Sequence, residues 1–272
     1  MLTSFLITFR EGLEAFLLVG IILTHLSKLG ARRYFRYIYL GVVLGLLLSF
    51  AAAVLFQVVV DEFNQALYRQ IFMASIMLFA AAVLTYMVLW MQKKSGKKVA
   101  NVHEDLSQLV STGNLIGLVM LTFISIAREG LETVLFFSAL AYSTTSTGGI
   151  EDNAIGAILG LVVAVAAVWV LFRSTRKLPI RPLFRYSSLL LILIAAGLLA
   201  SSVNILQSAD LLPFLTATAF NLSGILNDQG SFGMFLRGLF GYNAEPSVAQ
   251  FGIWLLYLAV FLSIWKRSYR HA

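Results

Sequence analysis

Seven apolar stretches dominate the chain, at residues 3–27, 38–60, 70–91, 115–142, 152–173, 187–206 and 250–265. Most are about as long as the roughly 20 residues that an α-helix needs to cross a bilayer core. In hydrocarbon only helices and closed barrels satisfy every backbone N–H and C=O, and unbroken runs of this length are helical. The composition agrees, with 59% hydrophobic and 12% charged residues, against roughly 25% charged in a soluble domain. A soluble globular fold and a disordered chain are thereby excluded. The absence of cysteine excludes disulfides, iron–sulfur clusters and thiolate metal sites. The sequence predicts an all-α polytopic membrane protein with seven transmembrane helices, folded as a single transmembrane domain over 1–272.

The charge pattern orients the chain. Sixteen of the twenty basic residues fall in the 1–2, 3–4 and 5–6 connections and the tail, among them Lys28, Arg32, Lys93, Lys98, Arg173, Arg185 and Lys266. With seven spans these segments share one side. Only Arg69 and Arg237 fall on the other side, while Arg10 and Arg128 lie within spans. The positive-inside rule then puts the N-terminus outside and the C-terminus in the cytoplasm, as in a multi-pass protein of the cell inner membrane. The formal net charge of +7 is a topology signal and no sign of nucleic-acid binding. The Lys93–Lys98 cluster is also suited to anionic lipid. The first stretch is no cleaved signal peptide, because it lacks a basic start and carries three charges in its middle.

An internal repeat organises the chain. The string R-E-G-L-E occurs at 10–14 and again at 128–132, an offset of 118 residues. The same offset carries stretch 2 close to stretch 5, and stretch 3 close to stretch 6. Residues 1–95 and 110–206 therefore read as two copies of one three-helix unit. An odd number of spans per copy gives the copies opposite topology, the inverted repeat of secondary transporters, which bind near the midplane. Residues 207–249 form an extracytoplasmic segment, in which Phe214–Leu226 reads as an interfacial or re-entrant helix. Residues 250–272 form the seventh helix and cytoplasmic tail.

Both copies of the motif fall near the middle third of the membrane. A charge at mid-helix costs on the order of 2.5–3.5 kcal/mol, so six unpaired charges would cost roughly 15–20 kcal/mol. They must be paired, hydrated or bound to something. At about 100° per residue, Arg10, Glu14 and Glu11 share one face with Glu14 in the middle, while Gly12 faces away toward a close helix contact. Arg128, Glu132, Glu129 and Gly130 repeat the pattern. If the two faces meet, four carboxylates and two guanidiniums converge with a net formal charge of −2. Carboxylates with no cysteine or histidine among them suit a hard cation. A structural arginine–glutamate clamp is the competing reading, and buried ion pairs are poor stabilisers.

The motif pair in the first and fourth of seven helices resembles the oxidase-dependent iron transporter family, which holds the high-affinity iron permeases of fungi and the EfeU-type iron permeases of bacteria. The resemblance extends to A-R-E-G-L-E-T-V at 127–134 and G-Y-N-A-E-P-S-V at 241–248, and covers nearly the whole chain. It implies an iron permease rather than an enzyme. Glu11, Glu14, Glu129 and Glu132 would carry iron, with Arg10 and Arg128 as motif partners. Iron would be the transported substrate, ferric and supplied by an extracytoplasmic oxidase or iron-delivery protein, with no further cofactor. Beyond the lipid bilayer and that partner, a homo-oligomer is compatible with the chain. The alternative is a transporter of another metal cation, with the glutamates relaying protons. An intramembrane di-iron oxidoreductase is disfavoured, because no span contains a Glu-x-x-His pair.

Other polar residues have two readings each. Thr8 and Ser125 approach the motif faces and either hydrogen-bond the carboxylates or bond back to the helix carbonyls. Asp61 and Glu62 at the outer end of stretch 2, and Glu245 in the late family-like segment, are either stations on an iron pathway or ordinary loop residues. Glu104 and Asp105 stand in the same position on the inner side. Met73 and Met77 read as packing residues, and His103 as a loop residue.

Overall fold

The computed structural model describes residues 2–62, 65–94, 106, 108–143, 150–173, 180–227 and 230–270. The apolar stretches close into α1 (Leu2–Lys28), α2 (Phe35–Asp61), α3 (Ala66–Lys94), α4 (Leu115–Ser143), α5 (Ile150–Arg173) and α6 (Ile180–Ser208), followed by a short α7 (Ser231–Phe240) and by α8 (Val248–Arg270). Local chemistry sets several ends. Gly30, at φ +68°, closes α1, with Ala31 N–H bonding back to Leu26 C=O, the wrapped ending that glycine favours. Asn114 caps α4, its Oδ1 accepting from Gly117 N–H at 2.9 Å.

Among the described residues, five helices, α2, α3, α5, α6 and α8, are long and apolar enough to cross a membrane. α1 and α4 match them in length, but each carries one arginine and two glutamates in its middle. The surface fits a lipid solvent. Phe50, Leu47 and Leu55 on α2, and Ile158 and Trp169 on α5, are more than half exposed. Water would make such continuous apolar faces a liability, whereas acyl chains cover them without cost.

The helices pair across the two halves. α1 packs most extensively on α5, α2 on α4, and α3 on α6. α1 and α4 also touch directly, and α8 lies against α6. Small residues set these approaches. A Cβ on Gly12 would stand 3.3 Å from Ala164 Cβ of α5, and one on Gly130 would stand 2.7 Å from Ser49 Cβ of α2. The Gly12 contact is the one its position on the helix wheel predicts. On α2, Gly41 and Gly45 likewise meet α4 at distances that no Cβ tolerates, and Gly160 of α5 meets the backbone of Phe5. Backbones this close gain dispersion contacts where the hydrophobic effect is absent.

The main buried cluster joins Met77 and Leu84 of α3, Phe136 and Ala139 of α4, Ile192 and Ala195 of α6, and Tyr257 of α8. α8 is fastened by polar contacts. Tyr257 OH pairs with Thr85 Oγ1 of α3 at 2.5 Å, and Trp265 Nε1 donates to Ser188 Oγ of α6 at 3.1 Å.

The segment Phe214–Leu226 differs from its predicted helix. It runs through turns and extended chain beside residues 244–248, with Ala219 N–H bonding to Pro246 C=O, Leu222 N–H to Ala244 C=O, and an isolated bridge between Thr218 and Ser247. Pro213 lies just before it, Leu215 sits at φ +52°, and the Asn221 side chain accepts from Ser223 N–H. Each favours a turn over a helix. The helix of this region is α7, whose end at Gly241, φ +65°, leaves no room for a Cβ against the Gly197 backbone of α6.

Candidate carboxylate site

Each motif occupies one turn of a helix whose small residue faces its neighbour, so the charged side chains are forced to the opposite side. The two charged faces meet where α1 touches α4. Arg10 and Glu11 are almost fully buried, and Glu129 is 7% exposed. One oxygen from each of Glu11, Glu129 and Glu132 lies within 4.8 Å of the others. Each arginine pairs with glutamates of its own motif. Arg10 Nη1 binds Glu11 Oε1, Arg10 Nη2 lies 2.7 Å from Glu14 Oε1, and Arg128 Nε lies 2.8 Å from Glu132 Oε1. Thus Glu11, Glu14 and Glu132 each pair with an arginine, and Glu11 and Glu132 also converge with Glu129.

In all three, the Oε2 atom (Glu11 Oε2, Glu129 Oε2 and Glu132 Oε2) is buried with no hydrogen-bond partner among the described residues. An unsatisfied buried polar atom costs about 1–3 kcal/mol, more when charged. Three together make a poor stabilising clamp and a good acceptor set for a cation. The donors are all oxygen atoms, which suits a hard ion.

The two arginines are not equivalent. The Arg10 side chain is 5% exposed and that of Arg128 is 37% exposed. Arg10 Nη2 also donates to Met87 Sδ of α3 at 3.2 Å, and Met87 is itself buried. Sequence reasoning missed Met87. It lies 77 positions from Arg10, and no local pattern links a methionine on one helix to an arginine on another.

The remaining candidates lie apart from this cluster or serve the backbone. Thr8 Oγ1 donates to Ser4 C=O and Ser125 Oγ to Leu121 C=O, both at 2.8 Å. Asp61 ends α2, and Glu62 beyond it is exposed. Glu245 is exposed and accepts from Asn221 Nδ2 at 2.7 Å. Met77 is packed in the main core and Met73 is partly buried. Glu104, Asp105, His103, Lys97 and Lys98 lie outside the described residues.

A helical bundle with lipid-suited faces and a buried carboxylate–guanidinium cluster defines a multi-pass membrane protein built around a polar interior site. The chain belongs to the iron permease FTR1 family, which it matches over residues 1–266. Among curated proteins it is similar to the ferrous iron permease EfeU of Yersinia pestis, at 33% identity over 260 residues that cover 95% of this chain and 90% of that protein. It is equally similar to the ferrous iron permease EfeU of Escherichia coli O6:H1 (strain CFT073), at 33% identity over 95% of this chain and 92% of that protein. No solved structure matches the chain significantly.

Proposed function

We propose that this permease imports iron across the cytoplasmic membrane through the site between α1 and α4. The observation that carries the reading is the convergence of Glu11, Glu129 and Glu132 from two helices bearing the same motif, each with a buried oxygen to spare. The three form the core of the iron site, and Glu14 flanks it as the counter-charge of Arg10. Seven membrane spans, α1 to α6 and α8, run with the N-terminus outside and the C-terminus in the cytoplasm.

The exchange of partners between the halves supports an inverted repeat. α1 of the first half packs on α5 of the second, and α4 of the second on α2 of the first. Gly12 against Ala164 and Gly130 against Ser49 are the matching contacts. Rocking of one half against the other would open the site to each side in turn.

The relatives are named ferrous iron permeases. For this chain an all-carboxylate donor set favours the ferric ion, delivered by an extracytoplasmic oxidase or iron-binding partner. Iron uptake into proteoliposomes tests the proposal. E11Q, E129Q and E132Q are expected to abolish uptake with protein still in the membrane. Supplying ferrous or ferric iron, with competing divalent metals, identifies the cargo. Full uptake in all three variants would overturn the site, and preference for another metal would favour a different cation with the glutamates relaying protons.

A further inference from the structure

We infer that α7 is the outer gate of the pathway, with Phe240 at its tip closing the way from outside to the carboxylates. The inference rests on the site and the topology proposed above and deepens them, since it names the part that must move before an ion can enter. The segment 207–249 does not stay on the outer surface. Gly241, which ends α7, packs its backbone on Gly197 of α6, and a Cβ on Gly197 would stand 2.5 Å from Gly241 N and 2.6 Å from Phe240 C. Gly197 lies eleven residues before the outer end of α6 at Ser208, roughly 16 Å down the helix and about half of a bilayer core. Glu132 likewise lies eleven residues before the outer end of α4 at Ser143. The tip of α7 thus reaches the depth of the carboxylates, and α7 touches α1 and α4 as well as α6.

An apolar seal lies on the outer side of the site. Ile7 stands four residues before Glu11, and Phe136 four residues after Glu132, so each is one turn along the charged face of its helix. Because α1 and α4 cross the membrane in opposite senses, both turns are outward of the carboxylates. Ile7 and Phe136 are buried in the main cluster, and Phe240 packs against that cluster from α7. Arg10, Glu11 and Glu129 beneath it are almost fully buried. An ion does not cross such a seal, because apolar side chains replace none of its hydration. The seal has to part, and α7 is the element fitted to do so. It is ten residues long, and its tip docks on α6 through glycine backbone and on α8 through Trp254 Nε1, which donates to Phe240 C=O at 3.0 Å. Elements that move are drawn from those with few buried contacts.

The test is the rate at which a membrane-impermeant cationic thiol reagent, a methanethiosulfonate carrying trimethylammonium, reacts with E132C in intact cells. The chain has no native cysteine to interfere. E132C alone is expected to react slowly, and E132C/F240A about tenfold faster, as the balance of closed and open gate shifts. Phe232 lies on the exposed side of α7, and E132C/F232A is expected to stay within about twofold of E132C. A80C reports on the packing itself, since Ala80 is fully buried in the main cluster, and A80C/F240A is expected to stay unreactive. Equal rates with and without F240A, an equal rise with F232A, or A80C/F240A reacting as fast as E132C/F240A would each overturn the inference. If F240A fails to reach the membrane, G197A decides by the same rates, because its new methyl must push the tip of α7 off α6. The readout needs no iron, so wild-type vesicles that take up no iron would defeat the reading of the site and leave the gate standing.

Discussion

Arg10 and Arg128 occupy identical pentapeptides, yet their surroundings differ because tertiary neighbours differ. Helix periodicity predicts that each arginine, its two glutamates and the opposing glycine divide between two faces, and the contacts at Gly12 and Gly130 follow that division. What periodicity cannot supply is the third dimension. It treats the four glutamates alike, whereas Arg10 holds both Glu11 and Glu14 and, of these two, Glu11 also converges with Glu129 and Glu132. This difference predicts a graded response. E132Q removes a convergent oxygen and is expected to abolish iron uptake. E14Q removes only half of the Arg10 counter-charge and is expected to lower uptake by about tenfold, the effect of roughly 1.4 kcal/mol. Initial uptake rates, normalised to membrane protein, check the order. Equal loss in both variants would argue for a site that uses all four carboxylates alike. The back-bonded hydroxyls of Thr8 and Ser125 show why residues near a motif in sequence need not serve it. The carbonyl one turn back, which already accepts its helix N–H, has a second lone pair and is the nearest acceptor in an apolar helix.

At the level of the helices, close approaches at Gly12 and Gly130 seat α1 against α5 and α4 against α2, beside the place where α1 and α4 meet. The two contacts differ in tightness. A Cβ on Gly130 would stand 2.7 Å from Ser49 Cβ and closer still to Ser49 Oγ, and one on Gly12 would stand 3.3 Å from Ala164 Cβ. G130A is therefore expected to destabilise the protein by about 1–3 kcal/mol, and G12A by less. Thermal unfolding in detergent, followed by loss of soluble monodisperse protein, measures the difference. A G130A protein as stable as wild type would remove this contact from the account. The apolar runs made the helices legible in the sequence. Their partners were not, since hydropathy marks a lipid face and a packed face alike. The same blindness explains Phe214–Leu226. Its hydropathy suggests a helix, but Asn221 and Glu245, 24 positions apart, pair across two antiparallel segments, a long-range contact that no local propensity encodes.

Over the whole molecule, the apolar stretches were legible as helices, because they are long. The exchange of partners between halves became visible only in three dimensions. The proposed topology has its own test, made clean by the absence of native cysteine. S223C, in the outer segment, is expected to react with a membrane-impermeant maleimide in intact cells, and S111C only after permeabilisation. The reverse pattern would invert the orientation. The central claim is that acidic side chains from α1 and α4 jointly bind the iron that crosses. Anomalous diffraction at the iron edge, from crystals soaked in iron, tests it most directly. The account predicts a peak between α1 and α4, in coordinating contact with Glu11, Glu129 and Glu132. A peak bound elsewhere in the chain, with nothing between those carboxylates, would contradict it.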